Sequence, residues 1–201
     1  DVLQLLIDRG ASNNKPDTIG STPLFAAAQR NLLDVSQLLV DNNAAIDQAT
    51  NDGATPLSIA AQSNALEVVK FLVDNNAAID QSRNDKTTPL FIASQNNHLE
   101  VVKFLVANHA AIDQATNDGA TPLFVASQLN HLKVVQFLVA NHATINQGMT
   151  IGATPLYMAS QNNHLKVVKF LVSNIAALLI RLRKTDVPRS TLPLPKGIWK
   201  S

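Results

Sequence analysis

The tripeptide Thr-Pro-Leu recurs along this chain at one constant interval. It begins at Thr22, Thr55, Thr88, Thr121 and Thr154. A period of that length makes each unit a small supersecondary motif that cannot bury its apolar face alone. Stacking on neighbours closes the core, so the units form one continuous elongated body rather than separate domains. The 46% of hydrophobic residues supplies enough apolar material for it.

Residues 51–83 serve as the type unit. Thr55 precedes a proline, which disfavours helical backbone there and suits an N-cap. Pro56 then takes the first helical position, where its missing N–H costs nothing. Leu57, Ile59, Ala60 and Ala61 read as a short helix, and the alanines let a second helix approach closely. Asn64 ends it, in a column with Asn31, Asn97, Asn130 and Asn163. Asparagine tolerates the left-handed backbone a helix stop requires.

The second helix starts at about Leu66. Leu66, Val69 and Val73 are expected on one face, widened by Val68, Phe71 and Leu72, with Glu67, Lys70 and Asp74 as the wet stripe. Its stop column holds Gly10, Asn43, Asn76, His109 and His142, residue types enriched at positive φ. An Ala-Ala-Ile-Asp segment, as at 77–80, leads to a loop projecting toward the next unit.

This pattern resembles the ankyrin repeat over residues 1–174. The segments Asn51-Asp52-Gly53-Ala54-Thr55-Pro56-Leu57 and Asn117-Asp118-Gly119-Ala120-Thr121-Pro122-Leu123 carry the resemblance. It implies an all-α solenoid of stacked antiparallel helix pairs with projecting β-hairpin-like loops. The units fall at 1–17 (partial), 18–50, 51–83, 84–116, 117–149 and 150–174. Residues 175–201 follow as a C-terminal helix and a proline-containing basic tail. Because Asp1 aligns with Asp34 and Glu67, the chain is expected to be a piece of a longer protein, with fraying at 2–7. The family has glycine where this chain has Asn64, and histidine where it has Phe25, Ser58, Phe91, Phe124 and Tyr157. Aromatic packing is expected to replace that histidine in the four aromatic cases.

Charge and composition narrow the function. Residues 175–201 hold six basic residues, Arg181, Arg183, Lys184, Arg189, Lys196 and Lys200, against Asp186 alone. Residues 1–174 hold 10 basic and 14 acidic ones, so the body is mildly acidic and lacks the basic face that nucleic-acid binding needs. With no cysteine there is neither a disulfide scaffold nor a thiolate nucleophile. No apolar run has a membrane-spanning length and no signal peptide is visible, so an intracellular, cytoplasmic location is expected. A monomer is expected. The chain carries no phosphate loop, no His-Glu-x-x-His and no nucleophile elbow, so neither an enzyme nor a cofactor is expected.

His98, His131 and His164 recur with the same period as Thr-Pro-Leu. Stacked helices lie roughly 8–10 Å apart, whereas zinc holds its nitrogen ligands at about 2.0–2.1 Å. Residues in equivalent positions of successive units therefore do not converge on one ion. They fill a position between helices where ankyrin repeats often carry histidine.

The resemblance implies that partners bind at the loop tips and on the exposed side of the first helices. In the type unit these positions are Asn51, Asp52, Ala54, Gln62, Ser63 and Asn75. One period on they are Asn84, Asp85, Thr87, Gln95, Asn96 and Asn108. The next set is Asn117, Asp118, Ala120, Gln128, Leu129 and Asn141, followed by Gln161 and Asn162. This face is polar and adaptable, without the Trp, Tyr and Arg anchors typical of hot spots. Ile19 and Ile151 replace aspartate at loop tips, and Leu129 is the expected apolar anchor.

The tail carries a second resemblance. Ile175-Ala176-Ala177-Leu178-Leu179-Ile180-Arg181 resembles the first helix of a SOCS box. Leu192-Pro193-Leu194-Pro195, followed by Ile198, resembles its cullin-contacting segment. That resemblance implies docking on Elongin B and C and a cullin through Ile175, Ala176, Leu178, Leu179, Leu192, Pro193, Leu194 and Pro195. The array would then present substrates for ubiquitination. Three other readings stand beside it. The tail is a capping helix with a disordered basic segment, or sequence joined by a gene-model error, or the array regulates an enzyme encoded upstream.

Overall fold

The computed structural model describes Arg9 and residues 12–184. Ten helices lie among the described residues. They alternate between a short first helix and a longer second one. The first helices are α1 Pro23–Gln29, α3 Pro56–Gln62, α5 Pro89–Gln95, α7 Pro122–Gln128 and α9 Pro155–Gln161. The second helices are α2 Leu33–Asp41, α4 Leu66–Asp74, α6 Leu99–Ala107, α8 Leu132–Ala140 and α10 Leu165–Lys184. Each first helix packs on the next first helix and on the second helix of its own pair. This is the expected all-α stacked-pair solenoid, and no strand occurs among the described residues.

The Thr-Pro-Leu motif works as read. Each threonine is extended, with φ between −88° and −101°, and its hydroxyl accepts the N–H three positions on. Proline opens every first helix. Ser58 adds a reciprocal bond that the aromatic residues cannot make. Its Oγ accepts the Thr55 N–H at 2.9 Å, closing a capping box.

Both stop columns adopt the left-handed backbone. Asn31, Asn64, Asn97, Asn130 and Asn163 have φ of 55–62°, and Asn43, Asn76, His109 and His142 have φ of 64–69°. Gly10 and the segment 2–7 lie outside the described residues. Ile175 stands one period after His142 in the second stop column, where a β-branched residue disfavours the left-handed backbone, and α10 continues through it to Lys184.

The core face of the second helices differs from the expectation. Val68, Val69 and Leu72 are fully buried, whereas Leu66 and Val73 are half-buried at the flanks. At roughly 100° per residue, Ala65, Val68, Val69 and Leu72 share one arc, and Leu66 and Val73 fall about a quarter-turn or more from its centre. Phe71 lies on the other flank and packs partly against the core. The aromatic replacement also holds in three units rather than four. Phe25, Phe91 and Phe124 are buried, but Tyr157 is 57% exposed because no later helix pair covers it among the described residues.

The loops are tight turns rather than strands. Thr50 N–H bonds to Ala54 O at 2.9 Å, and equivalent closures occur at Arg83–Thr87, Thr116–Ala120 and Met149–Ala153. One backbone bond joins each loop to the previous one, from Asn51 to Ile19, Asn84 to Asp52, Asn117 to Asp85 and Thr150 to Asp118. No helix among the described residues is long and apolar enough to cross a membrane.

Candidate functional site

The loop row and the first-helix row meet along one side of the stack and leave grooves between them. One, of about 390 Å³, is walled by Asp85, Thr87, Asn117 and Asp118 from the loops and by Gln95 and Gln128 from α5 and α7. Its floor is Phe91, Phe124, Val125 and Met149. These floor residues belong to a small apolar cluster of their own, with Ala120, Ala153 and Met158. A second groove, of about 440 Å³, gathers Ile19, Asn51, Asp52 and Arg83 over Phe25 and Ile59.

Seven expected partner residues, Asp85, Thr87, Gln95, Asn117, Asp118, Ala120 and Gln128, therefore line one groove, and Ile19, Asn51, Asp52 and Ala54 line the other. Leu129, Ile151, Ser63, Asn96, Gln161 and Asn162 are exposed but line neither. Leu129 caps the far end of α7 and is 43% exposed. Gln62 accepts a 2.7 Å bond from Arg83 and so steadies the wall of the second groove. Ala54 and Ala120 are buried beneath their loops rather than displayed, their N–H groups bonded to the Thr50 and Thr116 hydroxyls.

Several expected partner-binding side chains hold the stack together. Asn84 donates to Asn51 O at 3.1 Å, and Asn117 donates to Asn84 O at 3.3 Å. Asn96 donates to Ile92 O, and Asn75, Asn108 and Asn141 close their helices on Phe71, Phe104 and Phe137 in the same way. Asn162 reaches Gln128 O at 3.0 Å. The spaced histidines also bridge units. His98, His131 and His164 each bond a carbonyl of the preceding first helix, at Ala61, Gln95 and Gln128, all at 2.9 Å.

The Asp52 carboxyl is more acidic than usual. The Thr50 hydroxyl bonded to it, then the Ala54 N–H and the Arg83 charge, hold its carboxyl below the ordinary value of 3.8, with slight burial opposing. The wall of the second groove thus keeps an anion beside the Arg83 cation.

A family model described as ankyrin repeats in three copies matches residues 1–83 and 75–149, and one for a single ankyrin repeat matches 151–181. The chain belongs to the ankyrin-repeat family. A search of curated proteins returned no match. Ankyrin repeats are protein–protein interaction modules, and the chain is one by that membership. The groove floor was missed in the sequence because Phe91 and Phe124 read there only as replacements for the histidine of the ankyrin motif. An aromatic residue in that column, at successive first helices, is the signal that finds the floor.

The tail residues divide. Ile175 is half-buried and packed against the ankyrin core, and Ala176 is exposed. The side chains of Leu178 and Leu179, and Leu192, Pro193, Leu194 and Pro195, lie outside what the structure describes.

Proposed function

We propose that this array is a binding scaffold that holds a partner protein along the side formed by its loops and first helices. The observation that supports the reading is the groove of Asp85, Gln95, Asn117, Asp118 and Gln128 over an aromatic floor. Apolar burial on Phe91, Phe124 and Met149 supplies affinity, and the carboxylates and amides at the rim orient the partner. The walls are tied by backbone and side-chain bonds from unit to unit, so the scaffold loses little freedom on binding. The test is a pair of substituted arrays. Gln95→Arg with Gln128→Arg should lower partner affinity at least about tenfold, while Gln136→Arg on the opposite face leaves it unchanged. Equal effects would refute the groove as the contact surface. Leu129→Asp separates an extended contact from a groove-only one, because Leu129 lies outside the groove.

A second reading adds an adaptor. The unbroken course of α10 through Ile175 supports a helical SOCS-box-like segment, although Ile175 itself is engaged with the core. Co-purification of the full chain with Elongin B and C and a cullin, beside a chain ending at Asn174, tests it. Retention of the long form alone supports ligase substrate recognition, and retention of neither refutes it.

A further inference from the structure

The face opposite the grooves carries an ordered charge pattern. Three positions on each second helix point furthest from the core: 34, 37 and 41 on α2, and the equivalent positions of each later unit on the other helices. On α2 they are Asp34, Gln37 and Asp41, a net charge of −2. On α4 they are Glu67, Lys70 and Asp74, a net of −1. Glu100, Lys103 and Ala107 give 0 on α6, and Lys133, Gln136 and Ala140 give +1 on α8. Lys166, Lys169 and Ser173 give +2 on α10.

Across the five described second helices the charge therefore rises by one per unit and is antisymmetric about α6, while the equivalent positions of the partial unit before them, Asp1, Gln4 and Asp8, repeat the −2 of α2. Asp34, Asp41, Lys133, Lys166 and Lys169 are exposed. The opposite charges in the middle neutralise each other locally, through the Lys70–Glu67 pair at 2.8 Å and the Lys103–Glu100 pair at 2.7 Å. The ends carry their charge outward.

Antisymmetry is the property a two-fold interface needs. In an isologous contact the same patch serves both copies, so every position must complement its own symmetry mate. A two-fold axis parallel to α6 sets two outer faces together with the stack direction reversed. Then α2 faces α10 of the other copy, α4 faces α8, and α6 faces α6, so −2 meets +2 and −1 meets +1. A two-fold axis along the stack instead sets α2 on α2 and α10 on α10, and like charges repel. Complementary charge chooses between such arrangements more than it supplies raw affinity. An unrelated partner would not require the pattern to be its own negative.

We propose that the outer faces of two copies of this chain associate about a two-fold axis parallel to α6, in a salt-sensitive dimer that leaves both groove faces open. This departs from the monomer that the sequence alone led us to expect.

Two full-length variants test it. Asp34→Lys with Asp41→Lys makes both ends positive, and Lys166→Asp with Lys169→Asp makes both ends negative. All four side chains are exposed, and circular dichroism verifies the fold. Sedimentation equilibrium should show wild-type dimer at about 0.01 M ionic strength and its loss near 1 M, where the screening length falls from about 30 Å to about 3 Å. Each variant alone should dissociate at least about tenfold more readily, and the two mixed should restore dimer, because each supplies the end the other lacks. A wild type that stays monomeric at low salt overturns the proposal, including one that binds a heparin polyanion instead. So does a mixture that associates no better than either variant alone.

Discussion

The Asp80 carboxylate accepts the backbone N–H of Ala111 at 2.9 Å, from the next unit along the chain. The same bond runs from Ala45 to Asn14, from Ala78 to Asp47 and from Thr144 to Asp113. One side chain per unit thus fixes the start of the next unit's loop segment, and the array behaves as a row of nearest-neighbour joints.

Asp80→Ala should remove that joint and leave a part-buried N–H without its partner. The cost is about 1–3 kcal/mol for a charged acceptor, read as a lowered urea midpoint. Asp80→Asn should recover most of it, since Asn14 already serves in the same role.

The loop-turn column pairs one strained position with relaxed ones. Lys86 has φ +66° where Gly20, Gly53, Gly119 and Gly152 have φ near +85°. Lys86→Gly should stabilise the array by about 0.5–1 kcal/mol, because relief of left-handed strain exceeds the added freedom of the unfolded chain. Gly53→Ala should act oppositely, since its Cβ would lie 2.9 Å from Asn84 N. Thermal melts of both variants check the opposing signs.

Asp52 makes stability depend on acid pH in a defined direction. Its folded acidity is lowered, chiefly by the Thr50 hydroxyl. Its contribution is present above the ordinary value of 3.8 and is lost as pH falls through the lower folded value. Carboxyl titration by NMR should show the Asp52 midpoint move up in Thr50→Val, and that variant should lose less stability on acidification.

The N-cap of α5 is an independent test of the local reading. Thr88 is fully buried and its hydroxyl accepts Phe91 N–H at 3.2 Å. Thr88→Ala should cost about 1 kcal/mol, whereas Thr88→Ser should cost less.

Much of this was legible because it is local. The proline after each threonine, the asparagine stops and the alanine contact faces follow from the conformational limits of single residues. What escaped depends on partners a full unit away. Asp80 gives no local sign that its carboxylate serves Ala111, and Asn84 reads as a displayed amide until Asn51 O is seen beneath it. Ala54 reads as surface because its loop projects, yet the turn folds it under. The charge ramp is written in the sequence, but it becomes visible only when the outermost positions of each second helix are aligned.

The most direct measurement places a photo-crosslinking benzoylphenylalanine at Gln95, inside the groove, and separately at Gln136, on the opposite face. Groove binding predicts a partner adduct from position 95 that Gln128→Arg suppresses, with no such adduct from position 136. Adducts to that partner from position 136 alone would contradict it and place recognition on the outer helices.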